Sequence, residues 1–401
     1  MFGWLEDLMG YIMNIIYEGL YLLNIENVGL SIIFFTIIVY CLMWPMTVKQ
    51  QKFTKLSAAM NPEIQAIQKK YQDKKDQASM MKMQEETKMV YSKYGTSPTG
   101  GCLVTLIQFP ILFALYPVIR GVHNHVNKVG DVYDKISNAI LNSANKDTIL
   151  SDISVKIAND AKDAVGELSD ALYVLEPNKW DIIRKSFDSS PEIVESINRA
   201  NDMNQFLWIN NIAETPGHMF TEAWNTMKDS GFSVAVLVAL IIAVSIPVLS
   251  ALSQWVSMKI SQNMQKTNNK NQQENQTMNQ MNMMMNMMPL LSLVMCFSLP
   301  SGLGVYWVAS AVVRTIQQMI TNHSLNKKPL EVLVEENLKK AEKKAAKKKA
   351  VAPSQVNQRA TQSTKRITSD YQGETYNSNA KPGSLASKAN LVSDFNKRNN
   401  K

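Results

Sequence analysis

The sequence predicts an all-α, polytopic membrane protein: a core of five transmembrane helices with a cytosolic helical hairpin and an outer helical insert. Three observations carry this. Five stretches, 27–47, 100–121, 232–256, 284–299 and 301–322, are apolar over most of their length. At about 1.5 Å per helical residue, some twenty residues cross a hydrocarbon core of roughly 30 Å. Charge is segregated by sign: no Lys or Arg precedes Lys49, residues 48–99 hold ten Lys against five acidic residues, and residues 323–401 hold seventeen basic against seven acidic. Residues 122–231 reverse the balance, with ten basic against seventeen acidic. Lastly, the polar segments repeat their apolar residues at helical spacing. An odd number of spans puts the termini on opposite sides, and the positive-inside rule places the N-terminus outside and the C-terminus in the cytosol.

Residues 1–26 mix Trp4, Leu5, Leu8, Ile12, Ile15 and Ile16 with Glu6, Asp7 and Glu18. That pattern suits either an amphipathic helix lying on the outer membrane surface or a helix packed on the bundle. The stretch lacks a basic n-region and a small-residue cleavage site, so no signal peptide is expected. The span 27–47 ends in Trp44-Pro45 at the cytosolic interface. Thr36, Tyr40, Met43 and Thr47 share one face, and a threonine with a buried tyrosine marks that face as more than lipid contact. Residues 48–99 predict an antiparallel hairpin. Asn61-Pro62-Glu63 resembles a helix start. Met60, Ile64, Ile67 and Tyr71 form one stripe; Met80, Met83, Thr87, Val90 and Tyr94 form another beyond the break at 73–76. The hairpin is either a solvated connector or a mobile arm that meets incoming chains, its candidate residues being Pro62, Glu63, Ile64, Ile67, Tyr71, Met80 and Met83.

The span 100–121 carries Thr105, Gln108, Pro110 and Pro117. A glutamine amide at that depth needs a partner or water, since leaving it unpaired in hydrocarbon costs several kcal/mol. Its face is therefore expected to point at protein or a wet cavity. The insert 122–231 is too long for a plain loop and predicts a small acidic helical domain. Ile153, Ile157, Ala161, Val165, Leu168 and Leu172 are expected on one helix, and 191–208 on another. His123 and His125 lack the Cys or acidic cluster that would complete a metal site and are read as interface polar residues.

The span 232–256 turns polar at Ser250, Ser253 and Gln254. The Met, Asn and Gln-rich loop 257–283 cannot bury a core. Spans 284–299 and 301–322 form a tight pair. On the last, Trp307, Ser310, Arg314, Gln317 and Thr321 share a face. A guanidinium some thirteen residues into a span costs roughly 2.5–3.5 kcal/mol on insertion scales, which makes Arg314 either a functional group or a residue snorkelling to the headgroups. The tail 323–401 is basic and largely disordered. Its lysine clusters suit anionic lipid or ribosomal RNA.

Several function classes are excluded. Cys41, Cys102 and Cys296 give no outer disulfide framework and no Cys-x-x-Cys pair. No Gly-x-x-x-x-Gly-Lys loop provides for ATP, and no cofactor is expected. An intramembrane protease or a proton-coupled transporter would need His, Lys, Asp or Glu within the spans, yet His123, His125, His218 and His323 lie outside them and no carboxylate is central.

Four groups of residues then resemble the YidC/Oxa/Alb membrane protein insertases, in the short bacterial, Gram-positive-like form. They are the span from Ser31 to Thr47 with a basic hairpin bearing Asn61-Pro62-Glu63-Ile64-Gln65; Gly100-Gly101-Cys102 with Leu106-Ile107-Gln108-Phe109-Pro110-Ile111; Phe206-Leu207-Trp208-Ile209; and Pro300-Ser301-Gly302-Leu303 with Tyr306-Trp307 and Ile316-Gln317-Gln318. The resemblance covers the five-span core and not the insert or tail. It implies a non-enzymatic insertase and chaperone of the bacterial cytoplasmic membrane. Such a protein holds a hydrated groove open to cytosol and lipid, with nascent membrane proteins and lipids as partners.

Beyond these, the resemblance leaves open the Sec translocon and, through the tail, the ribosome; DNA is not expected. An assembly chaperone or scaffold acting with the translocon is the alternative. The family's groove arginine has Tyr40 at its matching position, whereas Thr36 fits the family pattern. Trp307 stands where a second tyrosine often follows Tyr306, and Arg314 where the family is commonly uncharged. The expected groove is lined by Arg314, Tyr40, Thr36, Gln108, Thr105, Trp307, Ser310 and Gln317, its positive charge moved from one helix to another.

Overall fold

The computed structural model describes residues 3–73, 76–97, 102–158, 163–266, 287 and 289–347, and every regular element among the described residues is a helix. In order these are α1 (Gly3–Tyr21), α2 (Val28–Tyr71), α3 (Gln77–Lys93), α4 (Cys102–Arg120), α5 (Val122–His125), α6 (Asn127–Leu141), α7 (Lys146–Asp152) and α8 (Ala164–Tyr173). There follow α9 (Pro177–Ser186), α10 (Pro191–Asn204), α11 (Pro216–Ser230), α12 (Val234–Lys266), α13 (Pro289–Ser298), α14 (Ser301–Asn326) and α15 (Leu330–Lys347). Among the described residues, two helices, α2 and α12, are by themselves long and apolar enough to cross a membrane. The helices other than α3 and the greater part of α15 form one compact unit, and those two belong to a second.

Asn27 begins α2 as an N-cap, its side chain accepting from the Leu30 amide at 2.9 Å. The helix then runs unbroken for 44 residues, about 66 Å at 1.5 Å per residue. Pro45 and Pro62 both lie inside it. The expected break between a span ending at 47 and a hairpin helix starting at Asn61 is therefore absent. Leu56, Met60 and Tyr71 are buried below Pro45, so packing carries the helix through two residues that lack an amide proton. Helix α2 ends at Tyr71, and Asp76 caps α3 by accepting from the Ser79 amide; Lys74 and Lys75 of the expected turn lie outside the described residues.

Three helices meet near the start of α14. Ile32 of α2, Ile119 of α4 and Ile212 of the connecting segment surround Gly302. The amide of Ser301 and its hydroxyl both donate to the Glu214 carbonyl at 2.8 Å, and the Gly302 amide donates to the Ile212 carbonyl at 2.9 Å. Those carbonyls satisfy amides that the first turn of a helix leaves without intrahelical partners. Helix α12 runs parallel to α14: Ser250 donates to the Gly304 carbonyl at 3.1 Å, and Thr315 donates to Ser257 at 2.8 Å. Ile246 meets Gly304, so about a dozen residues of α12 precede that crossing, and α11 packs along α12.

Helices α5 to α10 build the insert. His123, Tyr133, Tyr173 and Trp180 cluster at its centre, with ring centroids 4.7–6.2 Å apart. Asn204 donates to the Tyr133 hydroxyl at 2.5 Å. The single amphipathic helix expected from Ile153 to Leu172 does not form. The chain leaves α7 at Asp152, Ser154 takes a positive φ of 60°, and α8 starts after the Asp163 cap. Ala161 of that expected stripe lies outside the described residues. On the other side of α5, α1 packs against α2, α4 and α5 through Leu5, Met9, Met13, Ile16 and Tyr17. Trp4, Leu8, Tyr11 and Ile15 on its other face are exposed.

Candidate functional site

Polar side chains converge where α2 and α14 run side by side. Arg314 donates from its guanidinium to the Tyr40 hydroxyl at 2.7 Å, and the guanidinium carbon lies 5.6 Å from the centre of the Tyr40 ring. One turn below, the Gln317 amide donates to the Tyr40 carbonyl at 2.9 Å. Further down, Trp44 Nε1 donates to Thr321 at 3.3 Å, and Lys55 Nζ donates to the Leu325 carbonyl at 2.8 Å and to Asn326 at 3.1 Å. These contacts step down both helices and form a polar seam.

The seam has a closed side and an open side. Tyr40 is 2% exposed and Gln317 4%, whereas Arg314 is exposed. Arginine stays charged under all ordinary conditions. Its contact with a phenol oxygen and an aromatic ring anchors the guanidinium between α2 and α14 while the residue as a whole stays exposed. Thr36 sits one turn above Tyr40, fully buried, with its hydroxyl spent on the Ile32 carbonyl at 2.7 Å. Ser310 is buried and donates to the Trp307 carbonyl at 2.9 Å, and Trp307 is half-buried. Tyr306 and Ser310 both lie beside the Tyr40 hydroxyl.

The structure thus brings Tyr40, Arg314 and Gln317 together, with Ser310 beside them. Thr36 is close in sequence but is a backbone-bonding residue. Thr105 and Gln108 fall on α4, and their side chains lie outside the described residues. Pro62, Glu63, Ile64, Ile67 and Tyr71 lie on the lower part of α2; Met80 and Met83 lie on α3, in the other unit. Tyr71 is buried and Met80 exposed. Trp44 and Lys55 were not among the expected site residues. A Trp beside a Pro reads as an interface anchor, and a lysine in a basic segment as a solvated charge. Only the partner helix reveals their contacts. Burial holds the Lys55 amine below its ordinary range.

At the start of the insert, His123 Nε2 lies 2.8 Å from Asp170, which also accepts from Asn124 at 2.8 Å. Burial lowers the His123 pKa despite that carboxylate, and burial lowers that of His125, whose Nε2 is 3.7 Å from Glu6. His123 packs inside the insert beside Tyr133 and Tyr173, and His125 faces α1. At the start of α11, His218 Nδ1 lies 3.0 Å from Glu214 and Nε2 lies 3.3 Å from Glu176. The hydrogen bond to Glu214 raises the His218 pKa, and burial raises that of Glu214.

Among the described residues every regular element is a helix, two of them, α2 and α12, are long and apolar enough to cross a membrane, and Arg314 of α14 is held by Tyr40 of α2, features that suit an α-helical membrane protein. The 60Kd inner membrane protein family matches residues 20–160 and 178–328, and this chain belongs to that family. Similar curated proteins include a membrane protein insertase YidC 1 of Halalkalibacterium halodurans, 41% identical over 103 residues, 26% of this chain and 38% of the relative. The membrane protein insertase MisCA of Bacillus subtilis is 42% identical over 94 residues, 23% of this chain and 36% of the relative. A membrane protein insertase YidC of Fusobacterium nucleatum is 37% identical over 118 residues, 28% of this chain and 55% of the relative. The matched stretches thus span from about a third to about half the length of these relatives.

Proposed function

We propose that this chain is a membrane protein insertase and chaperone of the bacterial cytoplasmic membrane. It works without ATP hydrolysis, and its substrates are nascent membrane proteins. The upper part of α2, with α4, α12, α13 and α14, supplies five spans, the N-terminus lying outside and the tail in the cytosol. The lower part of α2 and α3 supply the cytosolic hairpin. Support comes from the family match and from relatives named insertases. The single observation that carries the reading is the guanidinium of Arg314 on α14 held by Tyr40 of α2, in a residue that is exposed as a whole.

A charged, hydrated seam lowers the cost of drawing a short hydrophilic end of a substrate part-way into the bilayer. An acidic end would meet Arg314 directly, forming a charge-assisted hydrogen bond. Lipid around the seam then receives the substrate's apolar helix. Burial of that helix supplies the free energy, at about 25 cal/mol per Å² of apolar surface. Lipids and the substrate are the partners this mechanism requires; the basic tail leaves the ribosome as a further one.

The test is insertion into liposomes that hold the purified protein as sole factor. Wild-type protein inserts a single-span substrate with an acidic outer tail. Arg314→Ala lowers the yield at least severalfold, while Lys339→Ala, an exposed lysine of α15, leaves it unchanged. No insertion by the wild type without a translocon would overturn the reading, and equal yields from the two variants would remove Arg314 from it.

A further inference from the structure

We propose that Glu214, His218 and Glu222, backed by Glu176, form a binding site for a divalent first-row cation next to the start of α14. One ligand atom from each of the first three residues lies within 4.8 Å of the others. Coordination by nitrogen and carboxylate oxygen requires about 2.0–2.2 Å to the metal. The exposed Glu222 side chain has room to close the remaining gap by rotation. The spacing of four and four residues puts the three on one side of the chain as it enters α11, where Thr215 caps the first turn.

Two further features favour a cation over a simple ion pair. First, each ring nitrogen of His218 faces a carboxylate: Nδ1 faces Glu214 at 3.0 Å and Nε2 faces Glu176 at 3.3 Å. With a metal on one nitrogen, the other donates to a carboxylate, the arrangement that orients metal-bound histidines. Second, the negative charge around His218 exceeds the positive. Glu214 is 6% exposed, and among the described residues His218 is its one side-chain ion-pair partner. Lys179 lies 3.4 Å from Glu176 and Asn178 donates to Glu222 at 3.2 Å, and among the described residues neither Glu214 nor Glu222 forms a salt bridge with a lysine or arginine. One histidine nitrogen with carboxylate oxygens suits Zn²⁺ or Mn²⁺ rather than a thiophilic ion.

The site has a structural consequence whether or not the chain inserts proteins. The backbone carbonyl of Glu214 accepts from both the amide and the hydroxyl of Ser301. A metal on the Glu214 carboxylate therefore fixes the residue that holds the first turn of α14. The cation would tie α11 and the insert's Glu176 to the helix that carries Arg314.

Full-length, tag-free, chelator-treated protein in detergent is titrated with Zn²⁺ by calorimetry, with Co²⁺ absorption as a second readout. The expected result is one Zn²⁺ per chain at micromolar affinity. His218→Gln and Glu222→Gln should each weaken it by about tenfold or more. Zn²⁺ raises the thermal midpoint of the wild type and not that of Glu222→Gln, whose exposed position leaves the metal-free fold intact. No saturable binding below millimolar Zn²⁺, or undiminished binding in Glu222→Gln, would overturn the site.

Discussion

A methyl group added at Gly302 would meet Ile119 Cγ2 at 2.8 Å, Ile32 Cδ1 at 3.2 Å and Ile212 Cγ1 at 3.3 Å. Three branched side chains from three segments cannot all give way, and overpacking of this kind costs about 1–3 kcal/mol. Gly302→Ala is therefore expected to lower the thermal midpoint by several degrees, whereas Gly3→Ala, with nothing within 4 Å, leaves it in place. Equal midpoints in a detergent melting experiment would show that the three helices do not converge there. Gly302 is visible in the sequence only as part of a motif, because its requirement is set by three residues far away in the chain. Arg314 and Tyr40 are legible differently. Each is costly or unusual in a span, so each asks for a partner, and the partner each finds is the other.

At the scale of elements, the sequence yields helix content more readily than helix ends. Asn61-Pro62-Glu63 has the chemistry of a helix start, yet α2 runs through it. Local capping contributes about 1 kcal/mol, less than burial of Leu56, Met60 and Tyr71, at about 1.5–3 kcal/mol for a large apolar side chain, can outweigh. The failure between Ile153 and Leu172 has the opposite cause: apolar residues at helical spacing serve two separate segments, joined where Ser154 takes a left-handed turn. A proline inside α2 still weakens it locally, since it donates no hydrogen bond and its ring crowds the preceding turn. Pro62→Ala should strengthen that turn. Slower amide hydrogen exchange over residues 58–66 in the variant is the expected observation. Unchanged exchange would mean that packing alone holds this part of α2.

At the scale of the whole molecule, acid should loosen the insert and α1, and the direction follows from which form of each histidine the fold prefers. Burial pulls His123 and His125 below the ordinary histidine value of about 6.5. As pH falls through that value, the unfolded chain takes up protons that the folded chain resists. Stability present above pH 6.5 is therefore lost downward through the folded-state values. Asp170 and Asp134 face His123, and Glu6 and Asp7 face His125; they oppose the shifts without reversing them. His218 acts with the other sign, because the Glu214 hydrogen bond raises its pKa and its contribution is fully present below 6.5. Two groups thus lose stability on acidification from pH 7.5 to 5 while one gains it. His123 is the more buried of the pair and sits against Tyr133 and Tyr173 at the centre of the insert. The wild-type midpoint should therefore fall over this interval. The double variant His123→Gln/His125→Gln, which cannot take up those protons, should show a flatter or inverted dependence, while His218→Gln should show a steeper one. Parallel pH profiles for all three proteins would place the acid-sensitive groups elsewhere and break the link between histidine burial and the cohesion of the insert.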